Sequence, residues 1–223
     1  MSPRTVVVTA EPVGEIMAGP AIRALELARA VARDGRGGPV TLLSLHSATR
    51  RDPEVTVSAA TSAVELRSAV AGARAVVVQG DVLGLQPWLV DHPVPLVVDA
   101  YDPYHLEQLE QSRPSGEAAR RAVVRDCVRS LSTQFARADL VLCASPRQRA
   151  LWLGHLAALG RVNPVTYDDS PDLARLLAVV PFGVSADAPP ARDRSALRDA
   201  VPGLTEDDVL LVWGGGVYEW FDP

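Results

Sequence analysis

Short runs of β-branched and apolar residues recur along this chain, and between them apolar residues fall at three- and four-residue spacing. The runs lie near residues 5–9, 40–45, 55–59, 74–79, 95–100, 138–144, 177–181 and 208–213. Helices are predicted between them at about 19–34, 61–71, 83–90, 117–136, 146–159 and 171–177. Continuously apolar strands separated by helices are buried on both faces, which is the pattern of a parallel sheet. The expected fold class is therefore α/β: a Rossmann-like parallel sheet with helices on both faces.

The 223 residues suffice for one large domain or one and a half. Residues 1–184 read as the first domain. Residues 185–207, rich in Ala, Pro, Asp and Arg, read as a linker. Residues 208–223 read as the first strand and glycine turn of a second, incomplete domain, so the chain is expected to be a truncated product or an excised half.

Charge excludes several function classes. The net charge is −5 and aromatic residues make up 5% of the chain, whereas a nucleic-acid surface shows a basic stripe with interleaved aromatics. DNA and RNA are excluded as main partners. All 22 basic residues are arginine, which removes Walker-type phosphate loops and Schiff-base chemistry, since both need lysine. No Gly-x-Gly-x-x-Gly follows the first strand, so a nicotinamide cofactor is not expected. Cys127 and Cys143 lack metal or disulfide spacing and read as packing residues. No stretch approaches the roughly 20 apolar residues needed to cross a bilayer, and the start has no signal-peptide pattern. A cytoplasmic location is expected.

Residues 5–31 hold the strongest local signal. The run Thr5 to Thr9 is followed by a Gly/Pro-bearing loop and then by a helix from about Gly19. A helix that opens above a strand aims its unpaired N–H groups and positive dipole end at any anion there, and Gly19 with Pro20 allows close backbone approach. On the loop alone, an ordinary βα unit is the simpler reading. Ser145-Pro146 reads as a helix cap with proline at the first helical position, which suffices to explain Ser145. His155, with Leu151 and Trp152, reads as part of a packed helix face. His46 and His92 have no supporting neighbours, and residues 117–137 read as a solvated amphipathic helix.

Five segments together resemble the retaining family 4 glycosyltransferases of the GT-B fold. Ala18 to Arg29 (AGPAIRALELAR) is similar to that family's first glycine loop and helix, and Val97 to Glu107 (VVDAYDPYHLE) to its acceptor-side segment. Ala138 to Ser145 (ADLVLCAS), Val180 to Val184 (VPFGV) and Trp213 to Tyr218 (WGGGVY) follow in the family's order. The resemblance implies an N-terminal acceptor domain cut just inside its donor domain. It also implies metal-independent transfer of a sugar from a nucleotide-diphosphate donor, with retention and no cofactor. The chain contains no Asp-x-Asp metal triplet.

By resemblance, Gly19 and Pro20 border the donor diphosphate, and Gly214, Gly215 and Gly216 form the loop beneath it in the second domain. Asp99, Tyr101 and Asp102 end a predicted central strand, where open parallel sheets bind ligands, and with His105 they are the candidate catalytic residues. Tyr104 and Ser145 are the candidate acceptor contacts. Many relatives carry His-Asp where this chain has Tyr101-Asp102, and tyrosine is a poor base near neutrality. The implied partners are a nucleotide sugar, a carbohydrate or lipid-linked acceptor with possible peripheral membrane contact, and the missing domain in cis or a partner chain in trans. A rival reading is a non-catalytic or half-transferase subunit that needs a separate donor-binding chain. On either reading, the isolated 223 residues are expected to fold but to transfer no sugar.

Overall fold

The structure is a computed structural model describing residues 4–184, 200–205, 207–209 and 211–217. It divides into two compact units, Met1–Phe182 and Gly183–Pro223.

The first unit is built on seven parallel strands: β1 (Thr5–Thr9), β2 (Val40–Ser44), β3 (Thr56–Ala59), β4 (Ala75–Gln79), β5 (Leu96–Asp99), β6 (Leu140–Cys143) and β7 (Leu177–Val179). Their order across the sheet is β3-β2-β1-β4-β5-β6-β7. The chain winds outward from β1 to β3, returns to place β4 on the other side of β1, and winds outward again. The strand order reverses between β1 and β4, and open parallel sheets usually bind ligands at the carboxyl ends of the strands beside such a switch.

Alternation along the strands divides the core in two. Val7, Leu42 and Val77 face Ala21, Ala24, Leu25 and Ala28 of helix α1 (Gly19–Asp34), and all are buried. On the opposite face Val6, Val8, Leu43, Val76, Val78 and Val98 join a larger cluster. It includes Leu66 and Val70 of α2 (Ala63–Val70), Val82 and Leu83 of α3 (Val82–Leu85), Leu131 and Phe135 of α5 (Glu117–Arg137), and Trp152 and Leu156 of α6 (Pro146–Ala158). Two further helices, α4 (Tyr104–Gln111) and α7 (Pro164–Asp169), lie outside the predicted set.

Three local expectations are corrected. The helix predicted over 83–90 stops at Leu85, and a 3-10 turn follows at Pro87–Leu89, because Pro87 cannot continue an α-helical hydrogen-bond ladder. The helix predicted over 171–177 is a turn. Asn163 and Pro164 start α7 earlier through a reciprocal capping box with Thr166. Ser170 then hydrogen-bonds Asp172, and Leu173 has a positive φ of 57° that no helix accepts. The strand predicted over 208–213 is not present among the described residues, where Val209, Leu211, Val212 and Trp213 are exposed. A strand needs a pairing edge, and the described residues of this unit contain no other strand. Most of the 185–207 linker and Tyr218 of the last motif lie outside the described residues.

Candidate functional site at the carboxyl edge of the sheet

Every strand runs parallel, so the loops after β1, β4, β5, β6 and β7 share one edge. A buried polar relay runs beneath it. Thr9 Oγ1 donates to Gln79 Oε1 at 3.0 Å, and Gln79 Nε2 donates to Asp99 Oδ2 at 3.2 Å. Arg23, from the second turn of α1, meets the same carboxylate with two nitrogens, Nε to Oδ2 at 2.8 Å and Nη2 to Oδ1 at 2.7 Å. Nη2 also donates to the Val180 carbonyl at 3.0 Å. Arg23 is 4% exposed and Asp99 2%, so each charge leaves water only because the other compensates it.

This arrangement redefines Asp99. Its carboxylate accepts from Arg23 and Gln79 and is enclosed, so it orients those groups from beneath the edge. The edge itself is formed by the next turn of chain. The Tyr101 ring lies against Phe182, with centroids 5.5 Å apart and nearly perpendicular planes. The Arg23 guanidinium carbon sits 5.3 Å from the Tyr101 ring and 4.7 Å from the Phe182 ring. Burial, then the charges of Asp102, Asp99 and Glu11, push the Tyr101 hydroxyl far above the ordinary phenol range. It stays protonated at neutral pH.

Asp102 behaves differently. It is half-buried, and desolvation together with the charge and hydrogen bonding of Glu107 raises its carboxyl to about 6. The loop bearing both residues is pinned by α6. Gln148 Nε2 donates to the Tyr101 carbonyl at 2.6 Å, and Trp152 Nε1 donates to the Ala100 carbonyl at 2.8 Å. Ser145 Oγ caps α6 by accepting from the Gln148 N–H at 3.2 Å, the capping role read from the sequence.

Other candidates fall elsewhere. His105 lies on α4 with its ring 5.7 Å from Trp152, its Nδ1 is enclosed without a partner, and burial, then the neighbouring His155, lowers its proton affinity. The Tyr104 hydroxyl turns toward α5, 3.4 Å from Gln134 Nε2, and burial raises it to about 12. His155 packs edge-on to Phe135 and bonds Ser132, as its helix face suggested, while Leu151 points outward. Gly214, Gly215 and Gly216 belong to the second unit, where Trp213 Nε1 donates to the Gly216 carbonyl at 2.9 Å.

Gly19 opens α1 on this edge. No side chain caps that helix start, no acidic residue occupies its first turn, and a Cβ added at Gly19 would meet nothing within 4 Å. Pro20 has no N–H and the Ile22 N–H bonds the Ala18 carbonyl, so Gly19 and Ala21 carry the remaining first-turn N–H groups at the positive end of the helix dipole. Arg23, Gln79, Phe182 and Glu107 are the functional neighbours that sequence reasoning missed. Arg23 left a signal there as a charge set among Ala21, Ala24, Leu25 and Ala28 on the apolar face of its helix, and Phe182 and Glu107 lie inside segments that carry the resemblance.

The sheet can be set beside solved structures. A sucrose-phosphate synthase from Thermosynechococcus elongatus is similar with a TM-score of 0.51 at 12% identity, over 81% of this chain and 48% of that one. The likeness lies in the fold. At TM-scores of 0.46 and 0.45 come UGT2 from Phytolacca americana, complexed with UDP-2fluoro-glucose and pterostilbene, and a UGT transferase from Siraitia grosvenorii in complex with UDP. Their identities are 13% and 14%, over 84% and 88% of this chain and 56% and 52% of theirs. The chain thus spans about half the length of each of these structures. No protein-family model and no curated protein matches the sequence. Among the described residues, no helix is long and apolar enough to cross a membrane.

Proposed function

We propose that this chain is the acceptor-side half of a GT-B glycosyltransferase, with Asp102 as the group that activates the acceptor hydroxyl. One observation supports this above the others. At the switch edge of a parallel sheet, an uncapped helix start suited to a diphosphate lies on the same side as a half-buried carboxyl group whose proton affinity is raised toward neutrality. The likeness to a sucrose-phosphate synthase supports the fold part of the reading. Retention, independence from metal and membership of family 4 rest on the resemblance of the five sequence segments. The donor-side wall is supplied by a second domain, in the same polypeptide or in a partner chain.

In this reading the nucleotide-sugar diphosphate lies over the α1 N-terminus, whose N–H groups stabilise the charge that develops as the glycosidic bond breaks. The acceptor hydroxyl hydrogen-bonds to ionised Asp102, which takes its proton as the oxygen joins the anomeric carbon on the face from which the diphosphate leaves, so that configuration is retained. Tyr101 donates a hydrogen bond to the acceptor and takes no part as a base. Asp99 works only by holding Arg23.

Two predictions arise here. Since the ionised form of Asp102 is the working one, kcat/KM of the complete protein rises through about pH 6 and then levels. Glu107→Gln removes a like charge and a hydrogen-bond partner, so the acid limb moves to lower pH. Burial remains, so the limb stays above the ordinary carboxylate range. A limb that Glu107→Gln leaves unmoved, measured in rate–pH profiles, removes Asp102 from this role. The same shift acts on folding with the opposite sense. The folded value lies above the ordinary 3.8, so between about pH 4 and pH 6 the native state keeps a proton that the unfolded chain has lost. The Asp102 contribution to stability is full below that window, declines as pH rises through it and is level above it.

The second concerns Gly19. Gly19→Asp places a carboxylate at the first turn of α1, where the dipole stabilises it by about 0.3–1 kcal/mol, and the open space accepts the side chain. Melting temperature is expected to rise slightly while affinity for a nucleoside diphosphate falls at least tenfold in calorimetry. Unchanged affinity would place the diphosphate elsewhere.

A further inference from the structure

The exit of the chain from the sheet is tied to the reactive edge by one buried cation. Val180, immediately after β7, hydrogen-bonds through its N–H to the Cys143 carbonyl at 2.7 Å and through its carbonyl to Arg23 Nη2. Two residues on, Phe182 closes the first unit, 54% exposed, with its ring over the same guanidinium. The same guanidinium carbon lies 5.3 Å from the Tyr101 ring, which meets Phe182 edge-on, and Tyr101's neighbour is Asp102. The Arg23 fork therefore touches both stretches at once, and Asp99 fixes its plane through two contacts.

We propose that Arg23 is a positioning residue that couples the Tyr101–Asp102 edge to the Val180–Phe182 exit, so that displacement of one displaces the other. A planar guanidinium held by a bidentate carboxylate has little rotational freedom. Motion of the exit strand end must either break the Val180 hydrogen bond or drag the fork, and the fork cannot turn without displacing the Phe182 and Tyr101 rings packed beside it. The site at Asp102 is thereby set by where the chain leaves the sheet. Lysine could neutralise Asp99 in place of Arg23, but it presents a point charge, stacks poorly and cannot bond Asp99 and Val180 in one plane. The coupling belongs to the fork and is independent of the charge alone.

The catalytic half of this inference rests on the glycosyl-transfer reading; the coupling itself does not. Arg23→Lys keeps the charge, and Phe182→Leu alters an exposed ring whose loss does not threaten folding. In amide hydrogen exchange, Arg23→Lys is expected to speed exchange at least tenfold over both residues 100–105 and residues 177–182, with β1 and β4 within about twofold of wild type. Phe182→Leu is expected to speed exchange over residues 100–105 about threefold or more, although it lies on the other stretch. Uniform acceleration across the sheet, or acceleration of the mutated stretch alone, would overturn the coupling. In the complete protein, Arg23→Lys is expected to lower kcat about tenfold with the acceptor KM within threefold, the pattern of a misplaced reacting group. Absence of sugar transfer by the wild-type protein would sink the function proposed above, and the exchange rates would still decide whether Arg23 couples the two stretches.

Discussion

If the proposed function holds, Asp102→Asn in the complete protein is expected to lower turnover with the acceptor by about 100- to 10,000-fold, the range for losing a positioned general base, and to leave nucleotide affinity within about twofold. Asparagine has nearly the same shape and still accepts a hydrogen bond, so the Tyr101–Asp102 loop keeps its anchors to Gln148 and Trp152. What is lost is the ability to carry a proton. The variant should also lose the acid limb near pH 6, because the group responsible for it no longer titrates. Stopped-time product assays with the acceptor saturating separate this loss from weakened binding. Turnover within a few-fold of wild type would exclude Asp102 and turn attention to Glu107, the carboxylate that hydrogen-bonds it.

The second large effect concerns stability. Arg23→Met leaves Asp99 as an uncompensated charge in an enclosed position, which costs about 3–5 kcal/mol in comparable buried pairs. In urea titrations of the first unit the midpoint is expected to drop accordingly, or the variant to be found unfolded. Arg23→Met combined with Asp99→Leu removes both charges and should regain much of the loss. Recovery is incomplete because Gln79 Nε2 then lacks its acceptor. A single variant that costs less than about 1 kcal/mol would mean that water reaches Asp99 and that the pair is not sealed.

The sheet was legible because it is written in local chemistry. Runs such as Thr5 to Thr9 and Ala75 to Gln79 are β-branched and apolar through most of their length, and that composition needs cover on both faces wherever it occurs. The start of α6 was equally plain, since the Ser145 cap and Pro146 are adjacent in the chain. Failures came where the deciding partner was distant or where two local signals competed. Residues 171–177 have helical spacing, but the cap at Asn163 and the Ser170–Asp172 turn had already set the chain direction. Residues 208–213 have strand composition, but the described residues of their unit contain no neighbouring strand to complete it. Asp99 and Asp102 are alike in sequence, both acidic at one strand end. Their separation, Asp99 enclosed in an ion pair and Asp102 half-buried beside a second carboxylate, is decided by Arg23, 76 residues away from Asp99 along the chain, and by Glu107 on the following helix.

Helix α1 has two duties: it supplies all the buried helical residues of the smaller core cluster, and its first turn is the open end at Gly19. A ligand that binds that end therefore holds down the cover of an entire face of the sheet. Its binding energy reports on cooperative melting of the whole first unit, adding about 2.7 kcal/mol at a concentration 100 times its dissociation constant. On the proposed function, thermal denaturation against a panel of nucleotides tests for the donor with no acceptor, no product and no assay of the reaction.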